Sequence, residues 1–485
     1  MVVSDQYSKK PHLAVLPSPG MGHIIPLLEL SKRLVIHHGF HVSFLVITTE
    51  ASAAQNQLLR SPTLPPDLHV IDLPPADVSH LITDDTLVLT HLCLIVRESL
   101  KPLRSILTQL DRPKALIIDP FTTEAFDVCR DLSIPVYSFF TPSTSLLAFS
   151  LYLPTLDREV EGEFVDMPEP VQVPGCTPMR TEDLLDQVRN RKNEEYKWFL
   201  YHVSRLKMAT GIFANSWEDL EPVSLRALKQ TRFFQDMPIP PVHSVGPLIK
   251  ETEPLTESDK EIMTWLHKQP CESVLFVSLG SGGTLSTEQL TELASGLEMS
   301  QQRFVLVARR PTDASASAAF FNVGSDVNDP AAYLPEGFTK RTEGVGLVVP
   351  SWAAQVAVLR HRSTGGFLSH CGWNSSLESI VHGVPMIAWP LYTEQRMNAT
   401  MLAEEVGVAM KPVARGGERV IGKEEIERVV RLVMEGEKGK VMRRRVKELQ
   451  ESARNALNHG GSSYDSLSLV AESWKDELAH EVLEM

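Results

Sequence analysis

The run SHCGWNSSLESIVHGVP, Ser369 to Pro385, sets a histidine, a glycine and three small polar residues just ahead of a stretch with helical periodicity. The first amides of a helix are unpaired and carry partial positive charge, so such a start can seat a phosphate. On that reading His370, Asn374 and Ser375 face a diphosphate. A plainer reading exists beside it. Ser375-x-x-Glu378 matches a capping box, in which the two side chains satisfy the helix's own amides. Capping accounts for Ser375 and Glu378, but not for His370, Gly372 and Trp373 before them.

A second pair of residues could move a proton. His23 lies where an apolar run passes into a helical one, and Asp119 ends the run ALIID. An imidazole titrating near neutrality is a natural general base, and a carboxylate can orient it and stabilise its charged form. Against this, His23 can be a polar helix start and Asp119-Pro120 a turn. Two glycine-rich turns stand nearby in pattern. GSGGT, 280–284, has the strand–turn–helix setting in which backbone N–H groups accept a phosphate oxygen. It is not GxxxxGK[ST], which excludes a P-loop, and GMGH at 20–23 lacks the third glycine of a dinucleotide fingerprint. Trp352, in SWAAQ, either fills a core or offers a flat face for a base. Glu394 and Gln395, in YTEQ, bring a carboxylate and an amide, which suit sugar hydroxyls.

These residues need a frame. HLAVLPSPG, HVSFLVITTE, KALIIDPF, IPVYSFFTP and GIFANSWEDL carry strand-like apolar runs, with helical MGHIIPLLELSKRLVIHHG and TTEAFDVCRDL between them. The segment from Pro238 to Glu253 is Pro-rich and aperiodic, and marks a domain boundary. Beyond it SVLFVSLGSGGTLSTEQLTELASGLEMS repeats the strand–glycine–helix opening, with Ser286 and Gln289 forming a capping box, and RFVLVAR, GLVVPSW, TGGFLSH and PMIAWP follow as strands. The expected architecture is α/β: two doubly wound domains, 1–245 and 246–463, facing across a crevice beyond the carboxyl ends of their strands. A mixed-charge helix, 464–485, is expected to pack back on the first. Residues 311–330 read as a surface insert and ARGGERV near 414 as a turn.

The bulk properties narrow the partners. The chain has 485 residues, too many for one ordinary core, and a formal net charge of −14, which argues against a nucleic-acid or anionic-membrane surface. Its five cysteines are scattered without a CxxC pair, so neither a disulfide scaffold nor a zinc site is expected. MVVSDQYSKK lacks the apolar core of a signal peptide, and no apolar run is long enough to span a bilayer. The expectation is a cytoplasmic monomer without membrane insertion, nucleic acid, metal or cofactor.

Taken together, WAAQVAVLRHRSTGGFLSHCGWNSSLESIVHGVPMIAWPLYTEQ, the 44 residues from Trp352 to Gln395, closely resemble the signature box of the plant secondary-product UDP-glycosyltransferases. PSPGMGH, IIDPF and VSLGSGG agree, and the resemblance covers essentially the whole chain. GSGGTL and WPLYTEQ are similar to the hydroquinone (arbutin-synthase-type) branch. The resemblance implies a GT-B fold, with UDP-glucose as donor substrate held mainly by the C-terminal domain. It implies Trp352 stacking on uracil with Ala353 backbone at its edge, and Gln355 and Glu378 on the ribose. His370, Asn374, Ser375 and Ser281 would hold the diphosphate. Trp373, Glu394 and Gln395 would contact glucose, with Thr141 reaching in from the other domain. His23 becomes the base and Asp119 its partner, in inverting transfer to the hydroxyl of a small aromatic acceptor of phenol, hydroquinone, monolignol or indoxyl type. The acceptor pocket is expected around Thr86, Phe121, Phe149 and the segment 183–200. Two departures stand out: Ala354 where the family usually has proline, and Glu394 where it usually has aspartate. Another UDP-sugar, an aromatic amine acceptor, a nucleotide-dependent oxidoreductase and a non-catalytic sugar-nucleotide binder remain the alternatives.

Overall fold

Continuous apolar runs flanked by helices belong in parallel sheets covered on both faces. The computed structural model describes residues 10–483 apart from 84, 111, 252–254, 314–328 and 415–418. Most of the expected insert at 311–330 and of the turn near 414 lies outside the described residues. In the N-terminal domain β1 (His12–Leu16), β2 (His41–Ile47), β3 (Leu68–Leu73), β4 (Ala115–Ile118), β5 (Val136–Phe140), β6 (Gly211–Ala214) and β7 (Val242–Ser244) form one sheet in the order β3-β2-β1-β4-β5-β6-β7. In the C-terminal domain β8 (Val274–Ser278), β9 (Arg303–Ala308), β10 (Gly346–Pro350), β11 (Thr364–Ser369), β12 (Met386–Ala388) and β13 (Ala409–Met410) run in the order β10-β9-β8-β11-β12-β13. All pairings are parallel.

The strand order decides where chemistry can sit. Each sheet reverses its winding between two neighbouring strands, β1 and β4 in the first and β8 and β11 in the second. The loops leaving those strands diverge to opposite faces and open a crevice at their carboxyl ends. The β1 and β4 exits carry His23 and Asp119, and the β8 and β11 exits carry Gly280 and His370. Residues far apart in the chain therefore meet because their strands are paired.

Each sheet has an apolar core on both faces. The crossing between domains comes later than residue 245, because Val245 and Leu248 still pack in the core under the first sheet. Asn215, at the end of β6, fixes that crossing. Its Oδ1 accepts from Leu248 N at 2.7 Å and its Nδ2 donates to Leu248 O at 3.1 Å. Leu467, Val470, Ala471 and Trp474 of the Ser462–Leu483 helix pack into the same N-terminal core, with the Trp474 ring edge-on to Phe40, Tyr137 and Phe213. No helix among the described residues is long and apolar enough to cross a membrane.

Two expected capping boxes resolve differently. Ser286 caps its helix through Gln289 N at 3.2 Å, but the Gln289 amide bonds both main-chain groups of Ile421 instead of reaching back. The Trp373–Val381 helix starts from Gly372 with no side-chain cap at all. Ser375 lies inside its first turn, and Glu378 turns toward Gln355. That helix start keeps its amides free of side-chain caps.

Candidate active site

A cavity of about 440 Å³ lies between the two sheets and takes residues from both domains. His23 enters it from the first turn of the Met21–His38 helix, whose start is turned by Gly20 at φ 106°. Its Nδ1 is 2.6 Å from Oδ2 of Asp119, a fully buried carboxylate whose Oδ1 accepts from Phe121 N at 3.0 Å. A carboxylate only accepts, so Nδ1 carries the proton and Nε2 is left as the basic nitrogen. Burial lowers the His23 pKa, but the charge and hydrogen bond of Asp119, helped by Glu394 across the cavity, outweigh it and raise the value above 6.5. Phe121 leans on the imidazole with ring centroids 5.6 Å apart, and Thr141 Oγ1 lies 3.4 Å from Nδ1.

The opposite wall is the C-terminal domain. His370 is buried between two glycines that make room for its ring. A Cβ on Gly280 would come within 2.4 Å of it, and one on Gly372 within 2.5 Å. Burial, with the Arg309 charge, pushes His370 down to about 4, so it is neutral at pH 7 and acts as an N–H donor, not as a cation. Its Nδ1 is buried without a partner among the described residues. Ser281, Asn374, Ser375 and the free start of the Trp373–Val381 helix adjoin it on the cavity wall. Asn374 Nδ2 also donates across to Gly22 O at 3.0 Å, tying the helix start to the turn that carries His23. Further out, Trp352 is 39% exposed on the cavity wall beside Ala353. Gln355 Nε2 donates to Ser375 Oγ at 2.9 Å and Glu378 Oε2 at 2.6 Å, forming a polar shelf. The arrangement offers a flat ring, paired polar groups, a helix N-terminus and a basic nitrogen around one cavity.

Residues 215–448 match the family described as UDP-glucoronosyl and UDP-glucosyl transferase. The chain is 46% identical to anthocyanidin 3-O-glucosyltransferase 5 of Manihot esculenta, over 97% of each. It is 45% identical to hydroquinone glucosyltransferase of Rauvolfia serpentina, over 97% of this chain and 99% of that one. Among solved structures, Phytolacca americana UGT2 complexed with UDP-2fluoro-glucose and pterostilbene superposes with a TM-score of 0.86 at 43% identity, covering 96% of this chain and 100% of that one. The chain is a plant UDP-glycosyltransferase. Its two facing Rossmann-like domains are the GT-B fold.

Not every expected residue of this glycosyltransferase reaches the cavity. Gln395 is buried, and its Oε1 accepts from Leu391 N at 2.9 Å and Tyr392 N at 3.1 Å, so it braces the turn that presents Glu394. Trp373 borders the cavity, but its indole sits in the C-terminal core with the N–H committed to Asn215 O at 2.9 Å. Phe149 is fully buried in the N-terminal core, and the same helix lines the cavity through Leu146. Thr86 closes its own turn by accepting from Thr83 N, and Leu87 and Val88 line the cavity in its place.

Other residues line the cavity as well, Phe199 within the expected segment 183–200 and the rest outside the positions singled out in the sequence. Leu89, Leu92 and Ile95 come from the Val88–Ser99 helix, and Phe199 and Val203 from the Glu194–Arg205 helix. His202 lies among them. Burial pushes it to about 3, and its nitrogens are engaged by Thr123 Oγ1 at 2.8 Å and Cys93 Sγ at 3.4 Å, so it presents a neutral ring stacked on Trp198. Arg309, at the exit of β9, and Lys250, just past the domain crossing, bring positive charge to the cavity of an acidic chain. Arg309 was findable, since it follows a strand end; Lys250 had only its linker context.

Proposed function

We propose that this UDP-glycosyltransferase moves glucose from UDP-glucose to the hydroxyl of a small, flat aromatic alcohol, with inversion at the anomeric carbon. The observation that carries the reading is the 2.6 Å pair of His23 and Asp119 at the edge of a largely apolar pocket, facing the uncapped helix start of the other domain. His23 Nε2 takes the phenolic proton as the oxygen forms its bond to C1. The C1–O bond to the diphosphate breaks, and UDP leaves with the electron pair. Asp119 stabilises the imidazolium that results. The helix start, Ser375 and the His370 N–H offset charge gathering on the diphosphate. Trp352 supports the uracil, and Gln355 with Glu378 the ribose. Glu394 meets the sugar hydroxyls.

The apolar pocket formed by Phe121, Leu89, Leu92, Phe199 and Val203 favours a planar ring over a polar acceptor. Hydroquinone and an anthocyanidin, the acceptors for which two relatives are named, belong to the same class. The test is direct. Incubated with UDP-glucose and a panel of phenols, phenylpropanoid alcohols and aromatic amines, the protein should yield O-linked β-glucosides by mass spectrometry and anomeric NMR coupling. An α-linked product, or no transfer from UDP-glucose to any acceptor hydroxyl, would refute the reading.

A further inference from the structure

The turn Tyr392–Thr393–Glu394 is held from two sides. From within its own domain, Gln395 Oε1 takes the Leu391 and Tyr392 amides. From the other domain comes Asp186, in the short turn Asp186–Val188 of the N-terminal half. Asp186 Oδ2 accepts from Thr393 N at 2.8 Å, Asp186 N donates to Thr393 O at 3.2 Å, and Oδ1 pairs with Arg396. Thr393 has φ +54°, a left-handed conformation that a β-branched residue resists; its hydroxyl donates to Tyr392 O at 2.8 Å, but its own amide and carbonyl are held by Asp186. Its neighbour Glu394 is the residue whose charge reaches His23.

The attachment has a second point three residues earlier. Asp183 is almost fully buried and takes Arg180 Nε at 2.9 Å, Thr400 Oγ1 at 2.9 Å and Lys411 Nζ at 3.3 Å. Burial works against its charge, but these partners outweigh it and hold the carboxyl below its ordinary range. Arg180 continues to Glu404 at 2.7 Å. Asp183 thus fastens the far end of the Gln395–Thr400 helix, while Asp186 fastens the turn that begins it.

We propose that Asp186 is the positioning residue of the sugar subsite: from the acceptor domain it sets the strained Thr393 turn, and so the place of Glu394 beside the transferring sugar. It does this through the Thr393 main chain, with Arg396 holding its second oxygen. The uracil, ribose and diphosphate contacts lie on other loops and do not depend on it. The inference rests on the reading that the sugar lies at Glu394.

The test compares Asp186→Ala and Asp186→Asn with wild type by kinetics and by calorimetric binding of UDP, which has no sugar. Asp186→Ala should lower kcat by on the order of ten- to a hundredfold, the scale of a small displacement at a reacting centre, and lower the preference for one UDP-sugar over its C4 epimer. UDP affinity should be unchanged. Asp186→Asn keeps an oxygen for the Thr393 amide and should recover most of kcat. If Asp186→Ala does not fold, Asp186→Glu, which keeps the charge but displaces the oxygens, reads the same split. Unchanged kcat in Asp186→Ala, UDP affinity falling in step with kcat, or equal damage in Ala and Asn would each overturn the proposal. Kinetics are read on whichever UDP-sugar the wild type turns over, so a wrong donor assignment shows in the wild type and leaves the Asp186 comparison intact.

Discussion

At the scale of single residues, the chemistry rests on charges that burial has made consequential. As the proposed base His23 needs its neutral form to accept a proton, yet Asp119 and Glu394 raise its pKa above 6.5. The sign follows: kcat/KM should be low where the ring is protonated and rise as pH passes through a midpoint above 6.5. Glu394→Gln removes one of the two raising charges. A pH–rate series should therefore show its midpoint lower than the wild type's; an unmoved or higher midpoint would show that Glu394 does not act on His23. That His23 and Asp119 would meet was legible because both residues stand at strand exits, where the topology collects polar side chains. Gln395 and Phe149 lie off the cavity wall for a common reason. Spacing tells which turn a residue occupies, but a side chain's direction depends on what its neighbours leave unsatisfied. Gln395 answers two main-chain amides, and Phe149 faces the core one turn from the cavity-lining Leu146.

At the scale of elements, the buried strands were readable, as was the apolar edge strand β10, but the other three edge strands were not. β1, β8 and β11 are apolar runs covered on both faces, and their pattern is unambiguous. β3, β7 and β13 lie at sheet edges; β7 and β13 have three and two residues, and β3 is only partly covered, so periodicity could not mark them. The departure at Ala354 acquires a physical role here. Its amide donates to Asp259 Oδ1 at 2.7 Å, and the other Asp259 oxygen caps the Glu257–His267 helix through Thr256. Proline would fit the Ala354 φ of −68° but has no N–H. Restoring the family's usual residue should thus strand a buried carboxylate oxygen. We expect Ala354→Pro to destabilise by about 1–2 kcal/mol, the desolvation cost exceeding the entropy gain of a loop proline. Denaturant titration checks this, and a stabilised variant would show that the Asp259 contact contributes nothing.

At the scale of the molecule, two domains must hold one reaction centre. They are joined at points the individual sequence signals did not disclose: Trp373 to Asn215, Asn374 to Gly22, and the Asp183–Asp186 segment to the start and end of the Gln395–Thr400 helix. Each links residues more than a hundred positions apart, and no local pattern encodes such a pairing. The two-domain plan and its crevice were legible because both halves repeat the strand–glycine–helix opening. In the proposed reaction His23, oriented by Asp119, removes the acceptor proton during transfer. This step is tested most directly by comparing His23→Ala with wild type on two phenols, one weakly and one strongly acidic, with UDP-glucose. A general base contributes about 10²–10⁴-fold, so turnover of the weakly acidic phenol should fall to near background, while the phenol already ionised at assay pH loses far less. Wild-type-like turnover of the weakly acidic phenol by His23→Ala would show that His23 is not the base.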